Sequence, residues 1–374
     1  MKKVKYIALV LTFCFIIGGI SIWGIALNDG DVSAWERRKL QQFPELNSST
    51  LQSGEFMRDF ETYLSDQFPM RDMFRRLKAR IHFDLLNQKD NSGIYIAEGH
   101  ASKIDAKLNE KLVDSFGDKL TSLYEKYIEG ADCRVYYCII PDKNYFLAEK
   151  NGYPALDYDE LFSAVDKKLG YMTKIEIADL LSASDYYTTD THWKQEKILP
   201  VAERIRGAMG MKNEALYEEM KVDVPFNGVY YGQSALPLPA DEIKYLTNEE
   251  IEKCTVYNAE TGKTTKVYDM EKLNSMDLYD VFLSGAAPIL EITNPTVEYG
   301  VVRELIVFRD SFGSSLTPLL LSGYSKVTLI DTRYINPDLI GEYKNADGQS
   351  IRFDNRDVLF IYSTMLVNAS NALK

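Results

Sequence analysis

An uncharged and mostly apolar run from Tyr6 to Leu27 is the feature that most constrains this chain. Its twenty-two residues, at about 1.5 Å each, can cross a hydrocarbon core of roughly 30 Å as one helix. Three lysines, at positions 2, 3 and 5, precede the run and favour an amino terminus in the cytoplasm. We therefore predict that residues 1–28 anchor the protein in the cell membrane as a single pass, with the C-terminal domain extracellular.

A cleaved signal peptide is the alternative for this segment, because Gly24-Ile25-Ala26 resembles a small-x-small cleavage site. The run is longer than the core of a typical signal peptide, which favours the uncleaved anchor. A lipoprotein signal does not fit. Cys14 lies in the middle of the run and follows Phe13, where such a signal requires a small residue.

The rest of the chain is acidic and long enough for a sizeable core. The formal net charge is −12 over 374 residues, and it becomes −15 without the three lysines of the first 27 residues. Such a surface argues against nucleic acid as a partner but says little about a neutral glycan. Cys133 and Cys138 lie on one predicted strand about 16 Å apart, beyond the roughly 7 Å that a disulfide spans. The cysteine and histidine spacings match no metal site.

Helical and strand patterns alternate along most of the chain, which predicts an α/β fold. Helical spacing over residues 108–129 precedes a continuously apolar run, Val135–Pro141, typical of a strand buried on both faces. Short polar-apolar alternations, the aromatic cluster Val229–Tyr231 and turn signals predict a strand-rich insertion at about residues 222–294. We expect three parts, namely the anchor at residues 1–28, a juxtamembrane helical segment at 29–92 and a domain from 93 to 374 that contains the insertion.

Two amphipathic helices are predicted in the juxtamembrane segment, one from Phe56 and one that Pro69 opens. The second helix has a basic side formed by Arg71, Arg75, Arg76, Lys78 and Arg80. Anionic lipid near the anchor is one partner for this side. Core packing with a solvated charged face is the simpler interpretation, and the one that we favour.

Asp190 and His192 stand two residues apart, so on an extended segment both side chains point to the same side. The carboxylate can then orient the imidazole as a general base. Ser311 is the candidate nucleophile, because it follows the apolar run Leu305–Phe308 and precedes a predicted helix whose N-terminal amides could hold an oxyanion. Together the three residues form an acyl-transfer constellation.

Each of these residues also has a purely structural interpretation. A lone histidine is more often a hydrogen-bonding core residue, and Asp-x-His occurs by chance in many chains. Asp310 and Ser311 could cap the following helix, which is compatible with a reactive Ser311. Ser314 and Ser315 are weaker alternatives as nucleophiles because they fall inside the first helical turns.

Asp190-Thr191-His192-Trp193, together with Asp310-Ser311-Phe312, resembles the paired motifs of the permuted SGNH-type O-acyltransferases that acetylate alginate and related polysaccharides. The closer resemblance is to their Gram-positive relatives, the DHHW family, with Thr191 in place of the first histidine. Further matching pieces extend over most of the chain, at Glu36–Leu40, Phe43-Pro44, Asp66–Asp72, Pro141–Lys143, Phe226–Gly228, Phe282–Gly285 and Asp331–Tyr334.

The resemblance implies a three-layer, SGNH-hydrolase-like α/β domain with the strand-rich insertion and an N-terminal transmembrane helix. It implies an extracytoplasmic O-acyltransferase that moves an acyl group, taken to be acetyl, through acyl-Ser311 to a cell-surface or exported polysaccharide. A multi-spanning membrane O-acyltransferase would donate the acyl group, and no metal or other cofactor is needed. A carbohydrate esterase with the same triad and a non-catalytic glycan-binding or assembly protein remain alternatives.

Four further residues are candidates for substrate binding. Trp193 and Tyr187 could stack on sugars or could simply fill the core. Arg309 could hold an anionic group near the nucleophile or pair with a carboxylate. Lys143 follows a predicted strand at the edge of the sheet where open α/β folds place their ligands, so it borders the cleft unless the segment is only a turn.

Overall fold

The structure is a computed structural model that describes residues 2–211, 215–236, 238–298 and 304–374. The side chains of Lys2 and Lys3, on which the predicted orientation of the anchor partly rests, lie outside the described part. Pro237, within the predicted insertion, lies outside it as well.

By its contacts the chain divides into two units. The N-terminal unit runs to Ser92 and includes a short stretch from Tyr231. The central unit holds the chain from Gly93 to Tyr230 and from Leu238 onwards. Each unit is compact by the contacts made within itself.

The predicted apolar helix is present as α1, Lys2–Ala26. Within it, Val4–Ala26 is long and apolar enough to cross a membrane, by the same criteria that a signal sequence would meet. An apolar N-terminal helix is therefore confirmed. The side of the membrane on which the rest of the chain lies stays a prediction.

The remainder of the N-terminal unit is a small helical assembly. Its elements are β1 Val32–Ser33, β2 Arg38–Lys39, α2 Ser48–Gln52, α3 Glu55–Asp66, α4 Arg71–Arg80, a π-helical turn Ile81–Leu85 and β3 Asp90–Asn91. The two predicted amphipathic helices are α3 and α4. Pro69 lies two residues before α4, and Met70, with φ 58°, makes the turn into it.

Helices of the central unit surround one large sheet. The helices are α5 Glu110–Tyr127, α6 Lys143–Leu147, α7 Tyr158–Lys168, α8 Leu199–Ala208, α10 Glu249–Lys253, α11 Phe312–Leu316 and α12 Thr364–Val367, while α9 Val229–Ser234 runs across the division between the units. The strands are β4 Ile94–Ala97, β5 His100–Lys103, β6 Cys133–Ile140, β7 Thr173–Lys174, β8 Glu218–Phe226, β9 Asp241–Thr247, β10 Thr255–Asn258, β11 Thr264–Thr265, β12 Ile289–Thr293, β13 Glu304–Arg309, β14 Lys326–Ile330 and β15 Arg356–Ser363.

Within the described residues, eight strands form this sheet in the order β11-β10-β12-β14-β13-β15-β6-β7. Neighbouring strands from β14 to β7 run parallel, whereas β10, β11 and β12 pair antiparallel at the other edge. The strands β13 and β15 are buried almost throughout, and β6 is buried over its last five residues, as their continuous apolar character predicts.

The sheet is covered on both faces, because alternate residues of a strand point in opposite directions. On one face Val307 and Leu359 belong to the core that includes residues of α8 and α11. On the other, Ile306 and Phe360 belong to the core that includes residues of α5 and α7. The predicted three-layer, SGNH-hydrolase-like α/β fold is confirmed.

The segment predicted as a strand-rich insertion is only partly separate from the main sheet. Strands β8 and β9 form a two-stranded antiparallel ribbon. The later strands, β10 to β12, extend the central sheet. The aromatic cluster Val229–Tyr231, which we took as a strand signal, lies in helix α9. The domain boundaries themselves stay predictions.

Two buried carboxylates join the carboxyl ends of β6, β13 and β15. Asp310, just after β13, accepts the Ser363 amide at 2.8 Å. Asp142, just after β6, accepts the Thr364 hydroxyl at 2.9 Å and the Tyr158 hydroxyl at 2.7 Å. Burial raises the pKa of Asp142, against the lowering effect of these hydrogen bonds. This edge of the sheet is therefore held by side chains where the strand ladder ends.

At the amino ends of these strands, Asp357 of β15 holds a buried cluster together. Its removal should destabilise the fold. Its carboxylate is buried and accepts two hydrogen bonds of 2.6 Å from Arg134 and one of 2.7 Å from the buried Tyr324 hydroxyl. Asp357→Ala leaves that hydroxyl with only a contact of 3.8 Å to the Met209 sulfur, a weak acceptor, so we expect a loss of about 2 kcal/mol in the free energy of unfolding by urea. Glu249→Ala, which breaks an exposed pair with Lys253, is the control and should change little. Equal effects of the two substitutions would contradict this account.

Candidate active site

Ser311 lies where the chain leaves β13, which pairs with β14 and β15 in the parallel part of the sheet. Strand β13 ends at Arg309, and α11 begins at Phe312. The Asp310 carboxylate accepts the Phe312 amide at 3.0 Å and, through its other oxygen, the Ser363 amide at 2.8 Å. The strand-to-helix turn is thus fixed on both sides, and the partly exposed Ser311 hydroxyl is held at the carboxyl edge of the sheet.

The amides that follow Ser311 are already engaged by protein acceptors. Phe312 donates to the Asp310 carboxylate, Gly313 to the Asp310 carbonyl at 3.1 Å and Ser314 to the Ser311 carbonyl at 3.1 Å. Helix α11 is also only five residues long. The expected row of helix N-terminal amides is therefore used mainly to build the turn. Of the capping that we had kept as an alternative, the structure shows the Asp310 side chain accepting the Phe312 amide, whereas the Ser311 side chain caps no amide.

His192 connects Ser311 to a buried carboxylate. Its Nε2 lies 2.8 Å from the Ser311 Oγ, and its Nδ1 lies 2.6 Å from the Asp190 Oδ1. A carboxylate can only accept, so Nδ1 carries the proton and Nε2 is left as an acceptor for the serine hydroxyl. The three residues that the sequence singled out therefore form one hydrogen-bonded chain.

The segment that carries Asp190 and His192 is a series of bends, not the extended strand that we expected. The two side chains meet because Asp190 Oδ1 also accepts the His192 amide, at 3.1 Å, and so folds the loop around itself. The other oxygen, Oδ2, accepts the Val229 amide at 2.8 Å. The carboxylate is thereby fixed in position and in orientation.

Asp241 and Lys143 hold the backbone of this loop from two sides. Asp241 accepts the amides of Thr188 and Thr189 at 2.7 Å each and the Thr189 hydroxyl at 2.6 Å. Lys143 donates its ammonium to the Tyr187 carbonyl at 2.8 Å. These bonds replace the ladder that an irregular, buried segment lacks.

Lys143 is almost entirely buried, and this changes its acidity. Burial lowers the pKa of its ammonium from the ordinary 10.5 to about 7, against the opposing attraction of Asp190 and Asp241. The Tyr230 ring lies 5.0 Å from the ammonium nitrogen. The Lys143 side chain therefore lies between the Tyr230 ring and the loop that carries Asp190 and His192.

Close packing at Gly228 brings the loop and its support together. A Cβ added at this glycine would overlap the Thr189 carbonyl and the backbone of Asp190. The Gly228 amide donates to the Thr189 hydroxyl at 2.8 Å. Only a glycine allows the chain to approach closely enough for the next amide, that of Val229, to reach Asp190.

Two aromatic side chains fix the imidazole and the helix behind Ser311. The Tyr279 ring stacks on His192 with centroids 3.9 Å apart and planes 10° apart. Its hydroxyl donates to Ser315 at 2.8 Å, and the Trp193 indole donates to the same Ser315 oxygen at 2.9 Å. Both rings are buried, so they act on the position of His192 and α11.

The four predicted substrate-binding residues lie close to the triad but are buried. Trp193 and Tyr187 have no exposed surface, and Lys143 and Arg309 are 2% and 1% exposed. Arg309 donates to the Ser314 hydroxyl at 3.0 Å and lies 3.7 Å from Asp331. Each therefore contacts protein groups, and substrate binding by them stays a prediction.

Sequence reasoning missed Asp241 and Tyr279. Both reach the site from segments without a local motif, and Tyr279 is one of 25 tyrosines in the chain. Gly228 was visible only as part of Phe226–Gly228. Asp241 and Tyr279, which support the loop from other segments, thus leave a weaker signal in the sequence than Asp190 and His192, which the loop itself carries.

The low pKa of Lys143 should make stability depend on pH in a defined window. Between about pH 7 and 10.5 the unfolded chain binds more protons at Lys143 than the folded chain does. The contribution of Lys143 to the free energy of unfolding therefore grows as the pH rises through this window and is lost as the pH falls towards 7. We expect the unfolding free energy of the wild type, relative to Lys143→Met, to rise by up to about 1.4 kcal/mol per pH unit in urea titrations. Lys167→Met, at an exposed lysine, should show no such slope. Parallel curves for the wild type and Lys143→Met would contradict the prediction.

Comparisons with known proteins agree with this architecture. No family model matches the chain. In sequence it is 23% identical over 256 residues to the probable alginate O-acetylase AlgJ of Pseudomonas syringae pv. tomato, across 64% of this chain and 61% of that protein. The chain thus spans less than two thirds of the length of this relative.

Solved structures share the fold at low sequence identity. A DHHW family protein from Eubacterium siraeum superposes with a TM-score of 0.58 and 20% identity, over 76% of this chain and 94% of that one. Bacillus cereus PatB1, in a form with a sulfonyl adduct, superposes with a TM-score of 0.55 and 16% identity, over 73% of this chain and 97% of that one. The chain is therefore similar in fold to a DHHW family protein and in sequence to a probable alginate O-acetylase, and the SGNH-like sheet is the architecture that carries this likeness.

Proposed function

We propose that the protein is a membrane-anchored O-acyltransferase that moves an acyl group, taken to be acetyl, through Ser311 to a polysaccharide outside the cell. The observation that carries the proposal is the hydrogen-bonded chain from Asp190 through His192 to Ser311, with distances of 2.6 and 2.8 Å. Similarity to a probable alginate O-acetylase supports the polysaccharide acceptor. The apolar helix α1 supports the membrane anchor.

The geometry suits nucleophilic attack by the serine oxygen. As the Oγ–carbon bond to the acyl group forms, the hydroxyl proton passes to the His192 Nε2, which already accepts its hydrogen bond. The imidazolium then gives this proton to the oxygen of the leaving group, and acyl-Ser311 remains. Asp190 stabilises the transient positive charge through Nδ1.

The second half of the reaction runs through the same atoms. A carbohydrate hydroxyl gives its proton to the His192 Nε2 while its oxygen attacks the acyl carbon, and the Ser311 oxygen takes the proton back. The stacked Tyr279 ring keeps the imidazole plane fixed during both proton transfers. Such preorganisation lowers the barrier because the general base does not have to reorient at each step.

The acyl donor has to reach a site outside the membrane. Acetyl-coenzyme A is cytoplasmic, so we propose that a multi-spanning membrane O-acyltransferase carries the acyl group across and transfers it to Ser311. A tether such as α1 would keep the two proteins in the same membrane. If water served as the acceptor, the same residues would give a carbohydrate esterase.

The acyl-enzyme is the species to detect first. The full chain in detergent is exposed to p-nitrophenyl acetate, and its peptides are searched by mass spectrometry for acetylation at Ser311. We expect labelling at Ser311, abolished in Ser311→Ala and slowed about 10²–10⁴-fold in His192→Ala, because the general base is lost. His82→Ala, a histidine of the N-terminal unit, is the matched control and should label like the wild type.

The fate of the acetyl group separates the remaining alternatives. Transfer to an added oligosaccharide faster than release as acetate supports the transferase, whereas release alone indicates an esterase. A folded protein that neither labels nor turns over the ester, while it still binds glycan, would refute the acyl-enzyme and indicate a binding protein.

A further inference from the structure

An ordinary core-packing helix buries its apolar face and exposes its charged face. In α4 the apolar face is exposed, and charged side chains lie on the inner face. Met73, Phe74 and Leu77 follow the three- and four-residue spacing of one face, and they are 45%, 42% and 48% exposed. Met70, at the start of the helix, is 48% exposed on the same side. Ala79 is fully buried. The interpretation that we favoured from the sequence, core packing by the apolar stripe, is therefore wrong.

The inner face of α4 is occupied by charged groups. Arg71 and Arg75 lie 2.5 and 3.2 Å from the Glu36 carboxylate. Arg75 also donates to the Gly232 carbonyl at 2.8 Å. These contacts orient the helix within the N-terminal unit and so fix which side is turned outward. The exposure of the apolar stripe is a consequence of this ion-pair network.

Basic side chains border the apolar stripe. At 100° per residue, Lys78 lies beside Phe74 on one flank and Arg80 beside Met73 on the other, and both are exposed. An apolar stripe with lysine and arginine along its flanks is the pattern of a helix that lies in a membrane interface, where the apolar side chains enter the acyl region and the cations meet anionic headgroups.

The end of α1 places α4 next to a membrane. Pro69 packs against Gly24, two residues before the end of α1, since a Cβ added at Gly24 would lie 3.5 Å from the proline ring. The Gln67 side chain bonds both the amide and the carbonyl of Gly30, at 2.9 and 3.0 Å. The Tyr63 hydroxyl donates to Asp29 at 3.1 Å. The turn into α4 is thus fixed at the level where the apolar helix leaves the bilayer.

We propose that α4 is an interfacial membrane helix that lies on the outer leaflet with its apolar stripe in the lipid. The occupant of this surface is the bilayer that α1 is proposed to cross, because the turn into α4 packs against the end of that helix and the flanks of the stripe carry the charge that complements anionic lipid. About 5–10 Å of immersion is typical of such helices. The inference rests on the proposed membrane anchor α1 but not on the proposed chemistry at Ser311.

The test measures the immersion of α4 in the full chain reconstituted into vesicles of phosphatidylcholine and phosphatidylglycerol. Met73→Cys and Leu77→Cys are each labelled with bimane in a background with Cys14→Ala and Cys133→Ala, since Cys138 and Cys254 are buried. Glu125→Cys, on the exposed side of α5, is the control. The quenchers are a lipid with a nitroxide near its headgroup and iodide in the aqueous phase.

We expect the labels at 73 and 77 to be quenched by the nitroxide lipid and to be several-fold less accessible to iodide than the label at 125. Iodide access equal to that of the control would overturn the proposal, because the stripe would then face water. Shielding from both quenchers would overturn it as well, since a second copy of the chain or another protein would then cover the stripe.

Discussion

The candidate active site depends on the way in which Asp241 and Lys143 satisfy a buried, irregular backbone. The loop pairs only part of its backbone within itself, as where the Tyr187 amide donates to the His192 carbonyl. A buried group left unpaired costs about 1–3 kcal/mol. One carboxylate takes two consecutive amides, and one ammonium takes the preceding carbonyl. The loop is thereby rigid enough for Asp190 and His192 to be held at hydrogen-bonding distance from a serine on another element.

The serine side of the site is built by the same means. Asp310 accepts the amide of the last residue of β15, and Asp142 accepts the hydroxyl of the residue after it, so three neighbouring strand ends are joined by side chains. Ser311 therefore follows a buried strand whose end is joined to its neighbours, and His192 lies on a loop that Asp241 and Lys143 hold by hydrogen bonds. Both partners are thus held in place by protein groups alone, which is the preorganisation that the proposed acyl transfer requires.

Much of the fold could be predicted because its signals are local. The apolar runs of β6 and β13 lie side by side with β15 in the centre of the sheet, where strands are buried on both faces. The Asp-x-His and Asp-Ser motifs likewise identified the residues that meet. The shape of the catalytic loop could not be predicted, because Asp241 lies 52 residues from the Thr189 amide that it accepts.

The sequence also could not predict that Trp193, Tyr187, Arg309 and Lys143 are buried. Nor could it predict that the apolar stripe of α4 is exposed. Residue type shows that a side chain can stack or carry charge, but it does not show whether the side chain faces solvent. In α4 the ion pairs with Glu36 decide the orientation, and Glu36 lies in the segment before α2. An amphipathic pattern alone therefore defines two faces without defining which one is buried.

His192 and Ser311 are 119 residues apart along the chain. This separation determines how late in folding the two side chains can meet. Strand β13 needs β14 and β15 as neighbours, and both follow it in the chain. The serine can meet the imidazole only after the last strand has been made and the long loop between them has closed, a step that is slow and entropically costly. Until then Ser311 and His192 stay apart, so the hydrogen-bonded chain from Asp190 to Ser311 is a property of the completed fold alone.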